Sequence, residues 1–106
     1  MRKEYRKIVR DRIPEIIEKS GKRAEYEQVS REEALAGLEE KLTEETREYL
    51  ESRDLEEMAD ILEVLHGILR LRNVSMEEVE EIRLRKKAER GGFENRIRLL
   101  RVTDEK

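Results

Sequence analysis

Residues 35–69 read LAGLEEKLTEETREYLESRDLEEMADILEVLHGIL, and the fold turns on this stretch. Leu35, Leu38, Leu42, Glu45 and Tyr49 follow a 3-4 spacing, with Leu50 alongside. That spacing places them on one face of a helix. Glu45 thus stands where the pattern asks for an apolar core residue, and a carboxylate there is destabilising unless something compensates it. Ser52-Arg53-Asp54 interrupts the period. Met58, Ile61, Leu62, Leu65, Ile68 and Leu69 then form the inner face of a second long helix. A link of about three residues makes the two helices antiparallel neighbours.

Working outward, Ser30 and Glu33 form a capping box that opens a helix from about Arg31 to Glu51. Asp54 and Glu57 repeat the pattern for a helix ending near Arg72, and Asn73-Val74 breaks it. Ser75 and Glu78 open a further helix, which carries Met76, Val79 and Ile82 and stops at Gly91-Gly92. Toward the amino terminus, Pro14 suits the first turn of a short helix, with Asp11 as its cap and Ser20-Gly21 as its end. Lys22 to Val29 is read as extended, a short strand being one form of it. Phe93 to Val102 is either a strand or an extended tail that packs on Lys22 to Val29. The expected fold is all-α, one domain over residues 1–106, an antiparallel helix bundle with short extended terminal segments.

Composition sets the scale of that bundle. Of 106 residues, 48% are charged and 36% are hydrophobic. A chain this short and polar buries a thin core alone, so a homodimer with a four-helix core is expected. The 24 basic and 27 acidic residues nearly balance, leaving a net charge of −3. Balanced charge with helical periodicity argues for order. The chain has no Cys and one His, which excludes disulfides, thiolate metal sites and a multi-His zinc site within one chain. No apolar run reaches the length of a membrane span and no secretory leader is visible, so a cytoplasmic location is expected.

The chemistry lies in the acidic residues. Glu45 and Glu48 are three apart on one helix, and Glu57 and Asp60 are three apart on the next. The pairs Glu48/Glu57 and Glu45/Asp60 both centre on position 52.5, in the middle of the link. At a rise of about 1.5 Å per residue, each pair falls at a matched height. Four converging carboxylates repel one another and raise one another's pKa values. Mg²⁺ resolves that conflict, since it takes oxygen ligands and keeps waters and substrate phosphates in its shell. Structural alternatives exist for three of the acidic residues. Glu57 can serve as the third residue of a capping box, and Glu44 and Glu48 can be solvated partners of Lys41 and Arg47.

Glu44-Glu45-x-x-Glu48 followed by Glu57-Met58-Ala59-Asp60-Ile61 resembles the EExxE…ExxD signature of the MazG-like, all-α nucleoside-triphosphate pyrophosphohydrolases. Lys7-Ile8-Val9-Arg10-Asp11-Arg12-Ile13-Pro14 and Lys86-Lys87-Ala88-Glu89-Arg90-Gly91-Gly92-Phe93 resemble the ends of a compact branch related to phosphoribosyl-ATP pyrophosphohydrolase. The spacer departs from the pattern, because eight residues separate Glu48 from Glu57, fewer than in many MazG domains. The resemblance implies Mg²⁺ ligands at Glu45, Glu48, Glu57 and Asp60. It also implies cleavage of a nucleoside triphosphate to a monophosphate and pyrophosphate.

Other residues take secondary roles in this reading. Glu44 is the candidate to position or deprotonate the attacking water. Lys86 and Arg90 share a stripe with Val79 and Ile82 that points them to the core side, and they are candidate phosphate contacts. Their position near a helix C-terminus is also explained by the helix dipole alone. Arg10 and Arg12 are candidates of the same kind. Tyr49 and Phe93 are read as core or interface residues, and Gly37 and Gly67 as sites of close helix approach. The competing function is a non-enzymatic helical module for dimerisation and protein interaction, which has no need of Glu45 in the core stripe. Binding of a nucleic-acid polymer is disfavoured, since Glu residues intersperse the basic ones.

Overall fold

The computed structural model describes residues 2–104. Among these there are four helices and no strand: α1 (Ile13–Lys19), α2 (Arg31–Ser52), α3 (Leu55–Leu71) and α4 (Met76–Arg90). None of the described helices is long and apolar enough to cross a membrane. The chain divides into two compact units, Met1–Ser75 and Met76–Lys106.

Helices α2 and α3 form the heart of the first unit. Ser30 caps α2 in both directions, its Oγ accepting from the Glu33 amide at 3.1 Å while Glu33 Oε1 accepts from the Ser30 amide at 3.3 Å. At its far end Arg53 adopts a left-handed conformation (φ 62°), and its amide donates to the Tyr49 carbonyl at 2.7 Å. The link is therefore only Arg53-Asp54, one residue tighter than the sequence suggests. Leu38 lies against Gly67, Glu45 gathers with Asp60, and the Arg31 guanidinium donates to the Leu71 carbonyl. Contacts that pair rising numbers on α2 with falling numbers on α3 make the two helices antiparallel. Gly67 serves this approach directly, because a Cβ there would stand 3.0 Å from Leu38 Cδ1.

The inner face of α3 differs from the expected one. Val64 and Ile68 are the buried apolar residues, with Ile61 and Leu71 half-buried on the same stripe. Val64 was not among the residues expected inside. Leu55, Met58, Leu62 and Leu65 form a second stripe that remains 37–80% exposed, continuing to a half-buried Leu69. Helix α3 is apolar over more than half its circumference, and α2 covers only part of that.

The short α1 begins with Arg12, not Asp11, at its N-cap, and Pro14 sits in the first turn as its fixed φ allows. Gly21, at φ 93°, turns the chain away from the helix end. Asp54 holds the N-cap position of α3 without a side-chain capping bond, so the second expected capping box does not form there. Gly37 admits the side chain of Ile8 from the amino-terminal segment rather than another helix. In the second unit, α4 contains no buried residue and ends at Gly91 (φ 86°), whose amide donates to Lys87 O at 2.8 Å. The segments 22–29 and 93–102 contain no strand. Phe93, Ile97, Leu99, Leu100 and Val102 are 75–96% exposed.

Candidate functional site

Helical spacing brings Glu44, Glu45 and Glu48 together on α2, and the antiparallel turn brings Glu57 and Asp60 of α3 to Glu45. In each of the two trios, Glu44-Glu45-Glu48 and Glu45-Glu57-Asp60, one carboxylate oxygen per residue lies within 4.8 Å of the others. Glu45 belongs to both. It is only 7% exposed, the one buried charged residue among those described, and it sits between Leu42 and Tyr49 on the α2 stripe.

Burial pushes the Glu45 carboxyl up to about 7, and a hydrogen bond and charge repulsion from Glu48, with a smaller contribution from Asp60, act in the same direction. Lys41, one turn earlier at 3.7 Å, opposes this. Desolvation, then Glu48 and Asp60, also raise Glu57. Glu44 behaves oppositely. The Lys7 ammonium donates to its Oε1 at 2.8 Å and holds its carboxyl below the ordinary range. Asp60 Oδ1 accepts from the Arg10 guanidinium at 2.7 Å.

The donor set fits a hard dication. All available ligand atoms are carboxylate oxygens, the type that Mg²⁺ prefers. Oxygens around one Mg²⁺ stand about 2.9–4.2 Å apart, and those of each trio already lie within 4.8 Å of one another. The raised Glu45 marks a carboxylate whose charge is disfavoured first by burial and then by its acidic neighbours, and a dication would compensate that charge.

The other anticipated residues are distributed unevenly. Arg10 reaches the cluster through Asp60, whereas Arg12 clamps Glu15 one turn away in its own helix at 3.0 Å. Lys86 and Arg90 lie on α4, in the second unit, and are exposed there. Tyr49 is half-buried with the Arg53 guanidinium 6.0 Å from its ring centre, and Phe93 is almost fully exposed. Lys41 pairs with Glu45 rather than Glu44. Lys7 was missed. Its partner is 37 residues away, and local spacing holds no signal for such a contact.

No family model, curated protein or solved structure matches the chain.

Proposed function

We propose that the chain is a MazG-like, Mg²⁺-dependent nucleoside-triphosphate pyrophosphohydrolase, cleaving its substrate to a nucleoside monophosphate and pyrophosphate. The observation that carries this reading is Glu45, a carboxylate buried in an otherwise apolar helix seam and surrounded by other carboxylates. Glu45, Glu48, Glu57 and Asp60 would hold the metal. Bound there, Mg²⁺ would polarise the triphosphate and lower the charge that opposes attack by water.

The chain's own residues supply the rest. Glu44, kept ionised by Lys7, is a weak base at neutral pH, so orienting the water by accepting its hydrogen bond suits it better than removing the proton. Arg10 adjoins the carboxylates and offers a guanidinium to substrate phosphates. Arg12, Lys86 and Arg90 are further phosphate contacts on side-chain chemistry and the family resemblance. The cytoplasm, where nucleotides and Mg²⁺ are abundant, is the expected location.

A homodimer belongs to this proposal. Leu55, Met58, Leu62, Leu65 and Leu69 recur with the 3-4 spacing of a coiled-coil seam, and most of this stripe is open to solvent. Pairing it with the same stripe of a second chain would build the four-helix core. That stripe also favours the second reading, a helical interaction module without catalysis, but such a module gives no reason to bury Glu45. Incubating the protein with Mg²⁺ and a panel of nucleotides, with products resolved as pyrophosphate or orthophosphate, tests the function. Pyrophosphate release that EDTA abolishes supports it. No turnover on any nucleotide, with a dimeric mass in light scattering, supports the interaction module.

A further inference from the structure

Two basic side chains of the amino-terminal segment, far from the cluster in sequence, reach back onto it. Lys7 pairs with Glu44 and Arg10 with Asp60, across 37 and 50 residues. Between them Ile8 is half-buried and seats against Gly37 of α2, while its neighbours Lys7 and Val9 are exposed. The segment is thus a strap held by one apolar contact and two ion pairs. A surface groove lined by Lys7, Ile8, Gly37, Glu40, Lys41 and Glu44 marks where it lies on α2.

We propose that this strap is an exchangeable internal counter-cation: Arg10 and Lys7 neutralise the carboxylates in the metal-free chain, and a divalent cation bound at Asp60 displaces Arg10. The proposal rests on the metal-site reading above and deepens it. Magnitudes favour displacement over coexistence. The Arg10–Asp60 pair is 54% and 40% exposed at its two side chains. An exposed ion pair seldom shifts an equilibrium by more than about fivefold. A dication about 5 Å from a guanidinium repels it by about fifteenfold even with the screening of bulk water. The freed guanidinium then becomes available to a substrate phosphate, so phosphate binding by Arg10 follows metal loading. Without metal, the strap keeps Asp60 paired and the guanidinium occupied.

Calorimetric titration of the whole chain with Mn²⁺ and with Mg²⁺ tests this without reference to turnover. Arg10→Gln should bind the cation about tenfold more tightly than the unaltered chain. Ile8→Ala, which changes no charge but loosens the strap, should shift affinity in the same direction by a few-fold. Arg12→Gln, which removes a charge paired elsewhere, should stay within about twofold. If Arg10 merely orients Asp60 as an outer-shell partner, its loss weakens binding by about 10- to 100-fold, and that result overturns the proposal. An Ile8→Ala chain with unchanged affinity also overturns it, because the charge then acts without the strap. In both cases the metal site itself stands. If neither the unaltered chain nor Arg10→Gln binds a cation, the metal-site reading falls and the strap proposal with it.

Discussion

The two ends of the α2–α3 hairpin share one geometry and solve opposite problems. At the open end, Leu38 lies against Gly67, with Val64 and Ile68 buried nearby. At the turn, the same seam carries Glu45, Glu57 and Asp60. Burial of apolar surface stabilises the first region, at about 25 cal/mol per Å². In the second, burial opposes the charge of Glu45 and raises its carboxyl to about 7. A helix pair designed for stability alone would continue the leucines to the turn. The acidic end lowers the stability of the metal-free chain, and stabilising it is the work a bound dication would do.

The sharpest break between the regions is in activity. Asp60→Asn should lower pyrophosphate release by at least about a hundredfold, since it removes a proposed ligand, and should leave helical content by circular dichroism unchanged. At the apolar end, Ile68→Ala should destabilise by about 2–4 kcal/mol in denaturant titrations, equally in Mg²⁺ and EDTA. Loss of Mg²⁺ response in Ile68→Ala would mean that the two ends are not separable.

Acidity sharpens the contrast further. The Glu45 carboxyl rises from an ordinary 4.5 to about 7 in the folded chain. The folded state therefore favours the proton. In EDTA, the contribution of protonated Glu45 should be full below pH 4.5 and be lost as the pH climbs through 7, by about 1–2 kcal/mol after allowance for solvent, whereas Glu44, lowered by Lys7, loses its contribution as the pH falls. Glu45→Gln should flatten that part of the profile, whereas Ile68→Ala should keep it.

The smallest effect compares two helix starts. Ser30→Ala breaks a formed capping box and should cost about 1 kcal/mol, while Asp54→Ala, with no side-chain capping bond to lose, should cost only a few tenths. Thermal melts of both variants check the difference.

The helices and the carboxylate cluster were legible in the sequence because both depend on local period. Leu35 to Tyr49 and Ile61 to Ile68 repeat every three or four residues, and a short turn converts that period into the pairing of Glu45 with Asp60. Three features were not legible. Helix α3 carries two adjacent apolar stripes, so period alone did not say which one α2 covers, and Val64 was passed over. Asp54 and Glu57 match a capping box in spelling, but no side-chain capping bond forms. The contacts of Lys7 and Arg10 with the cluster are long-range, set by Ile8 meeting Gly37, and no spacing rule reports them.

Melting curves of Glu45→Gln against the unaltered chain, in EDTA and in Mg²⁺, test the central claim most directly. Gln keeps the shape of Glu45 and removes its charge. If the cluster exists to hold a metal, the variant should melt at the same temperature or higher in EDTA. It should also lose most of the stabilisation that Mg²⁺ gives the unaltered chain. If the carboxylate is instead held by Lys41 as a structural ion pair, the variant should melt lower in both buffers, with the Mg²⁺ response unchanged. That second result would contradict the account.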